Sequence, residues 1–438
     1  MAGGTFDKSV GKTRPGTYIN FTPAAQNIIG TSDRGTVVIP LVGHNYGPSK
    51  QFIALSNSSP DAEAAKLGYS IYDDIPSMLL IREAFKNAAE VIVYIPGSGT
   101  KATGTGGGLT ASAVYGGTRG NALKYTVTEN PAAGFDVSVY LDEALIEAFE
   151  GIEEVSGLNS GYITFKGETL EACAGVNLSG GTDSLSVNAD IAEFLDKVES
   201  VRFNTLCFPI DDESLKSACK TKIRYLRENA GKRVRAVIPD FNADYEGIIN
   251  VTNSVAVDGK ALTHAQATAW VAGADASASN TQSNTYKVYE GADSVVDAKT
   301  HEQSVAAINN GEFFFSCSDE GKVIVEYDIN SLVTFDEKKS QNYRKNRIMR
   351  ALDSIAESIS LNFPPNKYSN SEIGWDIMDG MGRALLQQFL DAGTITNVSP
   401  ETDFAVDRTR SRGDSTYFNV SVQPVDSAEK LYFTVETR

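Results

Sequence analysis

Hydrophobic and polar positions follow two different periods along this chain of 438 residues. Two runs, 35–43 (GTVVIPLVG) and 90–96 (EVIVYIP), are almost continuously apolar, which is typical of strands buried on both faces of a sheet. Between them, residues 75–90 (IPSMLLIREAFKNAAE) place apolar side chains at helical spacing. The first part of the chain therefore predicts helices packed against a sheet.

The same pattern resumes near residue 188. Helical periods at 191–200 and 213–232 alternate with apolar runs at 203–210 and 233–239. A strand, a helix and a second strand at this spacing predict a βαβ unit with a parallel sheet. The remaining elements expected in this part are a helix around 265–272 and strands at 313–318 and 322–329.

The segment between these two parts has a different texture. Residues 97–108 (GSGTKATGTGGG) are rich in glycine and are interpreted as a linker. Short candidate strands separated by Gly and Asn turns follow, at 122–130, 135–141 and 162–166. This alternation predicts a β-rich domain inserted into the α/β one.

The last hundred residues predict two helices, at 340–361 and 371–391, followed by strands. The chain then ends in EKLYFTVETR (429–438), which alternates with the period of a strand. TYINF (17–21) alternates in the same way after a Gly-rich arm over residues 1–16, and it has no obvious partner strand beside it. We expect both segments to add to a sheet in a neighbouring copy by β-augmentation. The residues assigned to these arm strands are Thr17, Tyr18, Ile19, Asn20, Phe21, Leu431, Tyr432, Phe433, Thr434 and Val435.

These elements predict a multidomain α/β and α+β protein. It would have a mixed α/β core, an inserted β-rich domain facing outward, and a C-terminal α+β domain that ends in an exchanged terminal strand. The expected divisions are an N-terminal arm (1–24), the first part of the core (25–97), the inserted domain (98–182), the rest of the core (183–335) and the C-terminal domain (336–438).

Composition narrows the possible functions. Apolar residues make up 41 % and charged residues 22 %, as in ordinary globular proteins. The net charge of −17 argues against broad nucleic-acid binding, which needs a basic face. No apolar run is long enough for a membrane span, and the N-terminus lacks the apolar stretch of a signal peptide, so we expect a cytoplasmic chain. The four cysteines have no metal-ligand spacing and are expected to be buried and reduced.

Motifs for catalysis are weak. GSGTK (97–101) follows a predicted strand but lacks the GxxxxGK[ST] spacing of a phosphate loop. The chain has three histidines, His44, His264 and His301, and they lie far apart in sequence. An α/β hydrolase or nucleotide-binding enzyme remains an alternative on the βαβ texture alone, and a soluble adhesin-like binding module that uses the β-rich insert is another.

Two basic runs stand out from the acidic background. The first lies within 220–235, for which a solvated helix face is favoured. The second precedes and enters the predicted helix at 340–361, where positive charge opposes the helix macrodipole. Contact with an acidic partner and simple solvation both remain open for this run. Its candidate contact residues are Lys338, Lys339, Arg344, Lys345 and Arg347.

Four segments of the chain resemble the tail sheath proteins of contractile-tailed phages, prophages and phage-tail-like bacteriocins. They are KTRPGTYINF (12–21), the stretch from FPI (208–210) to IRYLRENAGKRVRAVIPD (223–240), YRKNRIMRALDSIAESI (343–359) and GRALLQQFLDAG (382–393). The resemblance extends over essentially the whole chain and is weakest in the β-rich region.

The resemblance implies a structural subunit with no active site and no cofactor. Its partners would be copies of itself in helically stacked hexameric rings, a tail tube protein, and baseplate and tail terminator proteins, with no nucleic acid and no membrane insertion. Such subunits would assemble in the host bacterial cytoplasm and end up in a virion tail or a phage-tail-like particle. Contraction of the sheath would then drive the tube through a cell envelope.

The resemblance also gives roles to the candidate residues. The terminal arms would pair with sheets of neighbouring subunits, and the basic run at 338–347 would face the acidic outside of the tube. We expect the last strand to pair partly with residues 417–425 of its own chain and partly with another subunit, whereas TYINF pairs only with a neighbour.

Overall fold

A computed structural model describes residues 34–337 and 339–437, together with the backbone of two short strands near the N-terminus. Within this part of the chain, nine α-helices are present: α1 (Pro60–Ala64), α2 (Pro76–Phe85), α3 (Asn188–Lys197), α4 (Glu213–Glu228), α5 (His264–Ser277), α6 (His301–Asn309), α7 (Asn346–Asn362), α8 (Glu372–Asp391) and α9 (Pro400–Asp403). Short 3-10 helices cover Ala65–Leu67, Thr118–Ala122, Val155–Gly157, Val198–Ser200 and Gln341–Arg344. None of the described helices combines the length and apolarity that crossing a membrane requires.

A seven-stranded sheet forms the centre of the molecule. Its strands lie in the order Glu312–Phe313, Ile248–Val251, Arg235–Pro239, Thr205–Cys207, Thr36–Pro40, Glu90–Tyr94 and Phe52–Ser56. All neighbours are parallel except the edge strand Phe52–Ser56, which runs antiparallel to Glu90–Tyr94. The predicted βαβ unit is confirmed, because α4 connects the parallel strands Thr205–Cys207 and Arg235–Pro239.

Helices cover both faces of this sheet. Val37 and Ile39 point to a core that includes residues of α2 and α5, whereas Val38 between them points to a core that includes residues of α3 and α4. This alternation explains why the strands are apolar at every position. Helix α5 is rich in alanine and buried almost all round, and a Cβ at Gly273 would lie 2.5 Å from the Ala84 carbonyl oxygen of α2. The two helices therefore pack closely on the sheet.

Two antiparallel sheets with their own apolar core lie between residues 101 and 177. One contains Ala144–Ile152, Phe135–Leu141, Leu123–Glu129 and Cys173–Asn177, and the other contains Ile163–Gly167, Leu109–Gly116 and Lys101–Gly106, each in that order. The interpretation of residues 97–108 as a linker is wrong, because Lys101–Gly106 is a strand of the second sheet. Its glycines serve close packing: a Cβ at Gly106 would lie 2.6 Å from a methyl carbon of Val176.

Smaller sheets complete the fold. A three-stranded antiparallel sheet contains Lys260–Ala261, Ser254–Val257 and Ala292–Val296, and the two-stranded pairs are Phe315–Cys317 with Val323–Val325, Ile395–Thr396 with Gln423–Pro424, and Phe404–Val406 with Phe418–Val420. The apolar core of the C-terminal region lies between α7, α8 and the last pair, with Ile355, Leu386 and Phe404 among its buried members. Helix α8 lies where the sequence predicts it, whereas α7 begins at Asn346 and not at the predicted residue 340, with the 3-10 helix Gln341–Arg344 before it.

The terminal segments differ from their expected pairing. Phe418–Val420 pairs with Phe404–Val406, and Gln423–Pro424 pairs with Ile395–Thr396, so the expected hairpin between 417–425 and the last strand does not form. Residues 429–437 pair with no described strand. Thr17–Tyr18 pairs in parallel with Gly3–Gly4 of the same chain, contrary to the expectation that TYINF has no partner of its own. Ile19, Asn20 and Phe21 lie outside the described residues.

Candidate assembly surfaces

The C-terminal segment 430–437 carries four exposed large apolar side chains within five residues. Every residue in it is exposed, including Thr434. Its large apolar side chains are 66–88 % exposed, and they are Leu431, Tyr432, Phe433 and Val435. Large apolar side chains that are contiguous and exposed in a single chain mark an interaction site. The segment is therefore the first candidate surface for assembly.

The base of this segment is held by two residues of the second basic run. Lys345 Nζ forms an ion pair with the Glu429 carboxylate and lies 3.4 Å from Asp426 Oδ2. Burial alone would lower the pKa of Lys345, but the Glu429 carboxylate raises it above its ordinary value. Arg347 Nη1 donates a hydrogen bond of 2.5 Å to Ser427 Oγ. Both cations are thus engaged within the chain.

The other members of the run have different surroundings. Lys339 Nζ pairs with Glu246 Oε2 at 2.8 Å, and Lys338 lies outside the described residues. Arg344 is half-buried, burial lowers its pKa, and its Nε and Nη2 atoms have no hydrogen-bond partner among the described residues. No described carboxylate lies beside Arg344.

The first basic run, 220–235, is not simply a solvated helix face. Arg227 is buried and donates through Nη1 and Nη2 to the two carboxylate oxygens of Asp353, at 3.0 and 2.8 Å. Arg235 is also buried, with Nη2 3.0 Å from Asp275 Oδ1. Lys222 and Arg224 instead pair near the surface with Glu199 and Glu228. The solvated interpretation is therefore wrong for the two buried arginines.

A buried cluster of charges joins α7 to the central part of the molecule. Arg350 of α7 donates to Asp275 Oδ1 at 2.8 Å and to Asp328 Oδ2 at 2.6 Å. Asn346, one turn earlier, donates to Asp328 Oδ1 at 2.9 Å. Burial alone would raise the pKa of Asp275, but Arg235 and Arg350 hold it below its ordinary value. Asp275 is therefore charged, and both carboxylates of the cluster are bound by Arg350.

No partner was predicted for the residues of this cluster, although their spacing in the sequence indicates that they lie on one face of a helix. Asn346, Arg350 and Asp353 follow one another at spacings of four and three residues, which places them on one face of α7. All three are buried. Polar residues that follow one another at helical spacing beside an apolar face are therefore consistent with a buried polar contact, and not only with a face exposed to solvent.

The histidines do not form a catalytic arrangement in the described structure. His44 is buried, with Nδ1 3.0 Å from Ser77 Oγ and Nε2 2.7 Å from the Tyr46 carbonyl oxygen, so neither ring nitrogen meets a carboxylate. His264 Nδ1 lies 2.7 Å from Asp240 Oδ2, at the N-terminus of α5. No cluster of three or more potential metal ligands occurs among residues 34–337 and 339–437.

The cysteines differ from their expected burial at two positions. Cys207 and Cys219 are buried, Cys173 is half-buried and Cys317 is exposed, and all four are free thiols. The expectation of burial is therefore wrong for Cys317.

Comparison with protein families matches nearly the whole described chain. Four family models match in succession: the "Tail sheath protein Gp18 domain III N-terminal region" at 34–94, the "Phage tail sheath protein beta-sandwich domain" at 97–183, the "Phage tail sheath protein central domain" at 186–331 and the "Phage tail sheath C-terminal domain" at 338–438.

Individual proteins show the same similarity. The phage-like element PBSX protein XkdK of Bacillus subtilis is 38 % identical, with all of both chains covered. A tail sheath protein of Clostridium phage phiCD119 is 34 % identical over 41 % of this chain and 52 % of its own length. The crystal structure of a sheath tail protein from Desulfitobacterium hafniense has a TM-score of 0.83 and 36 % identity, over 96 % of this chain and 99 % of that one. The contracted helical sheath of the anti-feeding prophage shares the fold, with a TM-score of 0.58 and 12 % identity over 98 % and 100 % of the two chains.

Proposed function

The chain belongs to the phage tail sheath family, and we propose that its copies polymerise around a tail tube and contract to drive that tube through a target cell envelope. The family is structural, and the enzyme and adhesin alternatives are not favoured. The partners we propose are further copies of the chain in stacked hexameric rings, a tail tube protein, and baseplate and terminator proteins. Assembly would take place in the host cytoplasm.

The observation that carries this proposal is the exposed C-terminal segment. Leu431, Phe433 and Val435 would lie on one face of a strand, and Tyr432 and Thr434 on the other, but within one chain the segment pairs with nothing described. A strand with apolar side chains and free backbone groups is suited to complete a sheet in another copy. We propose that 431–435 and TYINF (17–21) are these exchanged strands.

An acceptor edge is available in the same region. Phe418–Val420 pairs on one side only, with Phe404–Val406, and its other edge faces no described strand. We propose this edge as a site for an incoming arm. The proposed division of the chain remains an arm at 1–24, a core at 25–97 and 183–335, an insert at 98–182 and a C-terminal domain at 336–438.

Contact with the tube is proposed for the second basic run. Lys345 and Arg347 already bind the base of the C-terminal segment and Lys339 pairs with Glu246, so the proposal depends mainly on Arg344, with Lys338 kept as a candidate from the sequence. Support comes from Arg344, which is half-buried and has no described carboxylate beside it. An acidic tube surface would supply a counter-charge for its guanidinium.

Deletion of residues 430–438 tests the arm proposal. The full-length chain, co-expressed with the tube protein of the same system, should form regular hollow tubes in negative-stain electron microscopy. The deletion variant should give a folded protein with an unchanged thermal unfolding midpoint and no tubes. Tubes formed equally well by the truncated chain would contradict the arm proposal.

Charge reversal tests the tube contact. Arg344→Glu should leave the arms intact but weaken attachment of the sheath to the tube, measured as sheath protein that co-purifies with tubes. Lys322→Glu is the matched control, because Lys322 is exposed and pairs only with Glu320. Equal recovery of Arg344→Glu and wild type on tubes would contradict the contact.

A further inference from the structure

We propose that Glu429 is a positioning residue, which locks the base of the C-terminal segment in a polar socket and so fixes the point and direction from which the exposed strand leaves the subunit. This inference rests on the proposed function, since the strand that it positions is the one offered to a second copy. It also gives Lys345, a candidate residue for contact with the tube, a role within the subunit.

The socket binds both oxygens of one carboxylate. Glu429 Oε1 accepts hydrogen bonds from Ser283 Oγ and Thr285 Oγ1, each at 2.7 Å, and Oε2 accepts from Lys345 Nζ. The Glu429 side chain is only 9 % exposed, although the residues that follow it are exposed throughout. An acidic side chain is rarely buried to this extent unless it is paired and hydrogen-bonded. These three contacts therefore account for the burial of the Glu429 carboxylate.

The residues of the socket are themselves fixed. Thr285 Oγ1 accepts a hydrogen bond of 3.0 Å from the Asp328 backbone N–H, and Asp328 is bound by Arg350. Lys345 Nζ lies 4.6 Å from the centre of the Tyr327 ring, and the Lys345 backbone bridges to Ile329. The socket is thus built on the buried charge cluster, which gives it a rigid support.

Without this lock, the free segment would begin earlier. The preceding fixed point is Ser427, whose hydroxyl accepts a hydrogen bond from Arg347 Nη1, and before it Val425, whose N–H donates to the Thr394 carbonyl oxygen at 2.9 Å. Release of Glu429 would add residues 428 and 429 to the free segment and lengthen its reach by about 7 Å. A longer free segment lowers the effective concentration of the strand at its acceptor and increases the ordering cost of pairing.

The lock also bears on register. In the strand period, Glu429 lies on the same face as Leu431, Phe433 and Val435. A shift of one residue would turn these apolar side chains to the opposite face of the acceptor sheet. A fixed carboxylate at the start of the strand favours one register before any partner is met.

Backbone ¹⁵N relaxation of the full-length monomer tests the lock directly. In wild type the amide order parameters at residues 428 and 429 should be about 0.85, and in Glu429→Ala they should fall below about 0.6, while those of α7 and α8 stay unchanged. Glu429→Gln, which can still accept the two hydroxyl donors but loses the ion pair, should give a smaller decrease. Glu401→Ala is the matched control, because Glu401 is an exposed acid of the same region that pairs with Arg383. Unchanged order parameters at residues 428 and 429 in Glu429→Ala would overturn the proposal.

Assembly then separates this inference from the proposed function. With tube protein present, Glu429→Ala should need about tenfold more protein than wild type for half-maximal tube formation, and Glu401→Ala should not differ from wild type. The charge-swapped pair Glu429→Lys with Lys345→Glu should recover part of the loss. Equal assembly of Glu429→Ala and wild type would overturn the positioning role. A wild-type chain that never assembles would instead contradict the proposed function, while the order parameters of the monomer still report on the lock.

Discussion

Arg350 and Asp275 form an ion pair of 2.8 Å in which the two side chains are 0 % and 2 % exposed. Arg350 lies in α7, and Asp275 lies near the end of α5, which packs on the central sheet. Arg227 and Asp353 form a second buried pair between α4 and α7. The first helix of the C-terminal region is therefore fixed to the central region by charges that no solvent screens.

Removal of the Arg350 guanidinium should strongly destabilise the chain. Arg350→Met leaves Asp328 without its arginine and Asp275 with Arg235 and Arg34 as the remaining cations, so that buried negative charge is poorly compensated. Breaking a buried pair in this way costs about 3–5 kcal/mol. The measurement is the free energy of unfolding from denaturant titration followed by circular dichroism.

The control for this prediction is Arg224→Met. Arg224 pairs with Glu228 at the surface of α4, and exposed pairs of this spacing contribute about 0.3–0.5 kcal/mol. A loss for Arg350→Met as small as that for Arg224→Met would show that the buried cluster does not hold α7 in place.

Two glycines of α8 should respond in opposite directions to the same substitution. A Cβ at Gly382 would lie 1.9 Å from a ring carbon of Phe404, whereas a Cβ at Gly380 would meet nothing within 4 Å. Gly382→Ala should therefore destabilise the C-terminal region by about 1–3 kcal/mol through overpacking. Gly380→Ala should stabilise it by about 0.5–1 kcal/mol, because alanine favours a helix. Thermal unfolding of the two variants checks both signs, and a stabilising Gly382→Ala would refute the close contact.

His264 should make stability depend on pH in a known direction. Its hydrogen bond to Asp240, with a further contribution from Asp297, raises the pKa of His264 above its ordinary value. A raised pKa in the folded state means that the protonated form stabilises the fold. This contribution is complete below the unfolded value of about 6.5 and is lost as the pH rises through the folded pKa.

The pH effect has a matched control within the chain. His264 and His301 each follow an N-capping threonine and precede a capping-box glutamine, at the starts of α5 and α6. The unfolding midpoint should fall between pH 6 and pH 8 by less in His264→Gln than in wild type. The difference should correspond to about 1 kcal/mol or less, because the pair is partly exposed. His301→Gln makes the same substitution at the equivalent position of α6 and serves as the comparison; an unchanged slope in His264→Gln would contradict the assignment.

Helices and strands are predicted best from this sequence where a single physical requirement determines which residues are apolar. Runs such as 35–43 are apolar throughout because helices cover both faces of their strands. The rule failed at 101–106, where glycine allows close packing against Val176 and does not indicate a flexible linker. The rules that link glycine to turns and linkers consider only its neighbours in sequence. Here glycine is required by a contact with a strand that is distant in sequence.

The candidate surface was only partly predictable for a similar reason. The alternation of 429–438 predicts a strand that pairs partly with 417–425, whereas residues 429–437 form no strand within the chain and the side chains of 431–435 are exposed. The sequence could not show that Lys345 and Arg347 bind the base of that segment, because this depends on the tertiary approach of residues about 80 apart. The sequence does contain one indication of the Glu429 contact. In the strand period, Glu429 is an acidic residue on the face that carries Leu431, Phe433 and Val435.

Thiol reactivity should separate the cysteines by burial. Cys317 is exposed, whereas Cys207 and Cys219 are buried, and burial raises the pKa of Cys207 to about 12. Only a thiolate reacts readily, so Cys317 should be alkylated first at pH 8, and Cys207 and Cys219 only after unfolding. Mass spectrometry of peptides after timed alkylation gives the order. Cys317→Ser should remove the fast phase without changing the unfolding midpoint, and a fast phase that persists in this variant would place the reactive thiol elsewhere.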